Sequence, residues 1–273
     1  MLASVVTGRF AELITLFAIV LWHELGHLFA ALRYGWTVKE VKLLPFGGVL
    51  EVEDAGSIPA GQEARVALAG PAQNVLLAGI GFALGYLGWI DKEWADDFVR
   101  ANALIGLFNL LPVLPLDGGK IFQSWLSLQL PYHRTLLWSA RISLVFSAAT
   151  VAAALYPLAR GGLLHLNLLA VGAFLCASNW TYYRNVPFLF LRFLVRRSER
   201  AEQHFDRGKL SRPIVIAENR ALARILQLFM REQYHLVYVM RQGKIVRVVP
   251  EKTIIDGFLG RLTAGNADLR FFM

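Results

Sequence analysis

The chain has 273 residues, 56% hydrophobic and 18% charged, with a mean hydropathy of +0.46. That is too apolar for an ordinary soluble domain and points to a membrane protein with several spans. The single cysteine, Cys176, excludes an intramolecular disulfide framework and a thiolate metal site. The net charge of +8 is unevenly spread: residues 1–183 hold 11 Lys and Arg against 12 Asp and Glu, and residues 184–273 hold 17 against 8. A basic excess directly after membrane helices fits a cytoplasmic segment near anionic lipid better than a nucleic-acid-binding tail.

The first apolar stretch covers residues 10–32, and about twenty helical residues span the roughly 30 Å hydrocarbon core of a bilayer. It has the look of a signal peptide but reads as a span, because no small-residue cleavage site follows it. Inside it lies His23-Glu24-Leu25-Gly26-His27, an H-E-x-x-H pattern. On a helix His23 and His27 are i and i+4 and leave the same face one turn apart, which suits two ligands of one zinc ion. Glu24 stands beside them as a base for an attacking water. The plainer reading is a stacked pair of core histidines, but His-Glu-His without a ligand is costly in an apolar surrounding.

Residues 37–54 contain two β-prone runs around Pro45-Phe46-Gly47-Gly48 and predict a hairpin. It either dips towards the metal site with an edge open to an extended peptide or simply connects two helices. The second apolar stretch, 65–90, opens with Gly70-Pro71-Ala72-Gln73-Asn74. Asn74 is a buried amide that either donates to a substrate carbonyl or developing oxyanion or serves as interhelical glue. Gly81 and Gly85 form a small-xxx-small pair for helix packing.

An acidic loop, 91–97, leads to the third stretch, 98–114. Beyond it comes Asn109-Leu110-Leu111-Pro112, then Pro115-Leu116-Asp117-Gly118-Gly119-Lys120. Asp117 is the only carboxylate between Asp97 and Glu199, in a segment whose prolines and glycines break a helix. Broken helix at membrane depth is tolerated where it lines a cavity. Asp117 is either a third zinc ligand or a cap for the following helix. Stretches four and five cover 135–158 and 162–182. Basic links at Arg33, Lys39, Lys42, Lys120 and Arg134 and the acidic 91–97 loop place the N-terminus outside and the end of the fifth span inside. His23, His27 and Asp117 then share the cytoplasmic half of the membrane.

Residues 185–210 read as a basic, partly amphipathic link along the membrane surface. A small polar region follows in the order β-α-β-β-α: strand 213–216, helix 222–231, strands 236–240 and 245–249 around a turn at Arg241-Gln242-Gly243, and helix 253–259. About fifty residues is marginal for a lone domain, so pairing with a second copy is expected.

These features resemble the site-2 protease family of intramembrane zinc metalloproteases, which carries H-E-x-x-H in one transmembrane helix and N-x-x-P-x-x-x-x-D-G in another. The matching residues are His23-Glu24-Leu25-Gly26-His27 and Asn109-Leu110-Leu111-Pro112 with Asp117-Gly118, and Gly70–Asn74 is similar to the family's G-P-x-x-N element. Leu43-Leu44-Pro45-Phe46-Gly47-Gly48 and Pro115-Leu116-Asp117-Gly118-Gly119-Lys120 point to the sporulation branch of that family. The fold expected is an α-helical polytopic membrane protein of about five transmembrane helices with a small C-terminal α+β domain, similar to one degenerate CBS motif. Residues 1–183 would form the intramembrane metalloprotease domain, 184–210 a basic membrane-proximal linker, and 211–273 the CBS-like domain.

The resemblance implies that His23, His27 and Asp117 ligate one Zn2+ per chain and that Glu24 is the general base. The substrate would unwind beside the site, along Phe46, Gly47 and Gly48, with Asn74 helping to hold the scissile carbonyl. It would be a membrane-tethered protein, in the sporulation branch a sigma-factor precursor. Further candidate partners are the lipid bilayer, membrane inhibitor proteins and a second copy through the CBS-like domain; nucleic acid is not expected. ATP is not expected either, since CBS nucleotide sites carry Thr or Ser and then Asp three residues on, where this chain has Pro250 and Thr253. The branch also has a span ahead of the H-E-x-x-H helix, and this sequence starts too late to contain it. The competing readings are a membrane-anchored zinc peptidase of soluble chains and a metal transporter or sensor built on the same ligands.

Overall fold

The computed structural model describes residues 10–44, 47–52, 58–200 and 211–263. The chain divides into two compact units, Met1–Glu53 with Gly61–Phe122, and Asp54–Ala60 with Gln123–Met273.

The first unit holds helix α1 (Phe10–Arg33), a hairpin of β1 (Val38–Leu44) and β2 (Gly47–Val52), nearly all of α2 (Ala60–Tyr86), α3 (Lys92–Asn109) and the start of α4 (Asp117–Gln129). The hairpin strands are antiparallel, with Leu44 opposite Gly47 and Leu43 opposite Gly48. Phe46, expected to face substrate, lies outside the described residues. Helices α2 and α3 approach closely because glycine faces α3: a Cβ on Gly81 would lie 2.6 Å from the Phe98 ring, and one on Gly85 would lie 2.6 Å from the Ala95 Cβ. The small-xxx-small pair thus does pack helices.

The acidic 91–97 segment is not a loop. Asp91 caps α3, its Oδ1 accepting from the Trp94 N–H at 3.0 Å, and Glu93 sits in the first turn. Acidic groups satisfy and neutralise a helix N-terminus, which is why the helix begins about six residues earlier than the apolar run alone suggests. It also ends earlier, at Asn109, ahead of Pro112.

The second unit holds α5 (Tyr132–Ala159), α6 (Leu166–Arg200), strand β3 (Ser211–Ala217), α7 (Leu222–Leu226), β4 (Tyr234–Arg241), β5 (Lys244–Pro250) and α8 (Glu251–Thr263). The sheet order is β3-β4-β5, with β3 parallel and β5 antiparallel to β4. The β-α-β-β-α order read from sequence is therefore observed. Gln242 and Gly243 both have positive φ, 48° and 77°, as a tight two-residue hairpin turn requires. Helix α7 is shorter than its apolar period suggests. Met230 N–H donates to His235 Nε2 at 2.8 Å, and the Phe229 carbonyl accepts from Tyr132 N–H at 2.9 Å. Tertiary partners thus take the backbone groups that a longer helix would use.

Among the described residues three helices are long and apolar enough to cross a membrane: Glu12–Arg33, Ala60–Tyr86 and Tyr132–Ala159. The other two apolar stretches fall in α3, whose first half is charged, and in α6, which carries Asn167 and Asn179. Helix α6 runs unbroken through residue 183, where the expected domain boundary would cut it. Val186, Phe190, Phe193 and Leu194 recur at helical spacing and are buried with Tyr132 and Leu136 of α5 and with Ile214, Phe229, Val237 and Ile255 of the C-terminal region. The C-terminal sheet shares its core with the two preceding helices, so the division into compact units falls near residue 122 instead.

Candidate metal centre

Three elements of the first unit meet at one point. Helix α1 brings His23 and His27, α2 brings Gly70 and Asn74, and the N-terminus of α4 brings Asp117. All of these side chains are buried, His23 at 2% exposure and Asp117 at 4%. Asp117 Oδ2 lies 3.0 Å from each histidine Nε2, and the two Nε2 atoms are 3.2 Å apart. Asp117 Oδ1 accepts from Lys120 Nζ at 3.3 Å, one turn along α4.

The ring tautomers follow from what the other nitrogens touch. His27 Nδ1 lies 2.7 Å from the Val66 carbonyl oxygen, which can only accept, so Nδ1 carries the proton and Nε2 a lone pair. His23 Nδ1 lies 2.5 Å from Asn74 Oδ1 and donates to it. Two imidazole lone pairs and a carboxylate oxygen therefore point at one another in a buried space, a repulsive arrangement that a cation resolves. Their mutual separations match the edges, about 3.3 Å, of a tetrahedron with bonds of about 2 Å. The donor set thus fits a zinc ion.

Gly70 keeps that space open. A Cβ there would lie 2.6 Å from His23 Nε2 and closer still to His27 Nε2. Gly26 does the same for helix contact, since a Cβ would meet the Ala69 carbonyl oxygen at 2.8 Å. Gly118 and Gly119 let the start of α4 rest on the backbone of residues 110–114, which sets the depth of Asp117. Glu24 is buried at 6% beside His23 and is outside the three-residue ligand group.

Asn74, read from sequence as either a substrate contact or interhelical glue, makes its hydrogen bonds within the protein. It is 2% exposed, accepts from His23 and donates to Asn102 Oδ1 of α3 at 3.2 Å, so it joins three helices within the protein. Gly47 and Gly48 lie at the start of β2. Sequence reasoning named Gly70 and Lys120 without these roles at the site and passed over Asn102. Asn102 left one signal, an amide inside an apolar stretch.

Residues 11–98 match peptidase family M50, a span that includes His23, Glu24, His27 and Asn74. The chain carries a peptidase M50 domain and is a zinc metalloprotease of the site-2 type, an integral membrane protein. It is 29% identical over 255 residues to stage IV sporulation protein FB of Bacillus subtilis, covering 93% of this chain and 86% of that one. It is 32% identical to a zinc metalloprotease of Methanocaldococcus jannaschii over 139 residues, 47% of this chain and 38% of that one. Among solved structures, the site-2 protease from M. jannaschii superposes with a TM-score of 0.52 at 27% identity, covering 62% of this chain and 76% of that one.

Proposed function

We propose that the chain is an intramembrane protease that holds one zinc ion through His23, His27 and Asp117 and cuts a membrane-tethered protein near the cytoplasmic face. The substrate class we assign is a sigma-factor precursor, by likeness to the sporulation protein over most of both chains. The convergence of three lone-pair donors at 3.0–3.2 Å carries the metal reading. Zinc supplies Lewis acidity, lowering the pKa of a water to about 7 and polarising a carbonyl.

The chain's own residues do the rest. Glu24 takes a proton from the attacking water and returns it to the leaving amine. The Val66 carbonyl and Asn74 hold the two imidazoles in the tautomer that presents Nε2. Lys120 holds Asp117 Oδ1 and leaves Oδ2 for the metal. The five-span topology, with the basic C-terminal region inside, remains our reading of the charge pattern. In it the hairpin lies beside the site as an edge for an unwound substrate.

The test co-expresses wild type or Glu24→Gln with a tethered sigma-factor precursor and measures both cleavage and zinc content. Glu24→Gln keeps its zinc and loses about 10²–10⁴-fold in cleavage. Undiminished cleavage would sink the assignment of Glu24. Equal cleavage of a soluble peptide lacking a membrane segment would favour a membrane-anchored peptidase instead.

A further inference from the structure

The polarity of the His23 contact can be traced to a fixed origin. The Phe98 carbonyl in α3 can only accept, and Asn102 Nδ2 lies 2.9 Å from it. That anchors the Asn102 amide and turns its Oδ1 towards α2. Asn102 Oδ1 accepts from Asn74 Nδ2 at 3.2 Å, which in turn leaves Asn74 Oδ1 facing His23 Nδ1 at 2.5 Å. An oxygen there requires a proton on Nδ1, so Nε2 is the lone pair. Asn102 is fully buried, and its hydrogen bonds go to Asn74 and the Phe98 carbonyl, one step removed from His23. Gly106, one turn further along α3, faces the same amide: a Cβ there would lie 3.3 Å from Asn74 Cβ, so α3 stands close enough for the contact.

Without Asn102 the Asn74 amide loses the contact that turns its oxygen, rather than its nitrogen, towards His23. The flipped amide would donate to Nδ1, drive the ring proton to Nε2 and close the ligand position.

We infer that Asn102 is a positioning residue of the metal centre: through Asn74 it fixes the His23 tautomer that leaves Nε2 free to bind zinc. This rests on the assignment of His23 as a ligand.

The test uses the full chain in detergent and measures zinc retention against a competing chelator, with ¹⁵N NMR of labelled histidine as a second readout. Asn102→Leu should weaken zinc binding by about 10- to 100-fold. Asn102→Asp keeps an acceptor for Asn74 Nδ2 and should recover most of the loss, whereas a role confined to the Phe98 contact, which needs the amide N–H, would leave Asp as poor as Leu. In wild type stripped of zinc, the His23 signal should still show a protonated Nδ1. Wild-type zinc affinity in Asn102→Leu, no recovery in Asn102→Asp, or a proton on His23 Nε2 would each overturn the inference. A proton on Nε2 in that spectrum overturns the inference even if both variants misfold. His23→Ala separates the two assignments. If it retains zinc, the ligand reading fails; if it loses zinc while Asn102→Leu does not, only the positioning role fails.

Discussion

At the residue scale the centre is as dependent on what is missing as on what is present. Gly70 offers no side chain at the point where three ligand atoms converge. Adding one methyl places carbon where the histidine lone pairs meet, and flanking helices leave little room to retreat. Gly70→Ala is expected to fold with its helices intact and to lose its zinc. Metal analysis after purification checks this, and near-stoichiometric zinc in the variant would refute it.

His235 gives a pH prediction outside the membrane helices. Its Nε2 accepts from Met230 N–H at 2.8 Å and its Nδ1 donates to the Arg212 carbonyl at 2.9 Å, so the neutral ring is fully used. Burial holds its pKa below the ordinary 6.5, partly offset by the bond to the Arg212 carbonyl; Arg197 also disfavours its charge and Glu251 favours it. A depressed histidine pKa means that the unfolded chain takes up a proton before the folded one does. The contribution to stability is therefore full above about pH 6.5 and lost as pH falls from there towards the folded value. Amide exchange in β4, corrected for intrinsic rate, should be faster at pH 5.5 than at pH 7.5. Unchanged protection would contradict the assignment.

At the scale of elements, a buried ion pair adds to the apolar core that joins the long helix α6 to the sheet region. Arg197 Nε and Nη2 donate to the two Glu251 oxygens at 2.8 Å each, and Glu251 is 2% exposed. Arg197 also donates to the Met230 carbonyl at 2.7 Å and lies over the Phe193 and Phe229 rings. Glu251 Oε2 accepts from His235 N–H at 2.9 Å, which ties β4 into the same network. Breaking such a pair on one side strands a buried charge, at a cost of about 3–5 kcal/mol. Glu251→Ala should lower the stability of the C-terminal region by that order, read from denaturant-dependent proteolysis. A loss under about 1 kcal/mol would show the pair to behave as an exposed one.

The whole molecule has two cores of different chemistry. The first unit is organised around buried polar atoms at the metal centre, and the second around aromatic and aliphatic side chains. Arg231 Nη2 donates to the Ile58 carbonyl at 2.7 Å and Glu232 accepts from Ala60 N–H, contacts that group Asp54–Ala60 with the second unit. The C-terminal region is thus part of the fold that carries α5 and α6. A chain stopped after Arg200 would leave Phe190, Phe193 and Leu194 uncovered. It should express poorly and melt well below the full chain by fluorescence-detected size exclusion. A truncated protein as stable as the full one would show that the sheet is an independent appendage.

Much of this was legible in the sequence, for identifiable reasons. His23, Glu24, His27 and Asp117 stand out because ionisable groups in apolar stretches carry a high cost. The β-α-β-β-α order is written in short apolar periods and a Gln242-Gly243 turn. Other features depend on atoms far apart in the chain. The donor and acceptor sense of Asn74 is set by Asn102, which is set by the Phe98 carbonyl. The continuation of α6 past residue 183 is decided by the core its apolar stripe finds in the C-terminal region. Sequence by itself determined which chemistry is proposed for the chain, because residue type and spacing single out the candidate ligands and base. Only the tertiary structure decided how the ligands are oriented and which helices the C-terminal sheet belongs to, because hydrogen-bond direction and shared burial arise between segments that the sequence keeps apart.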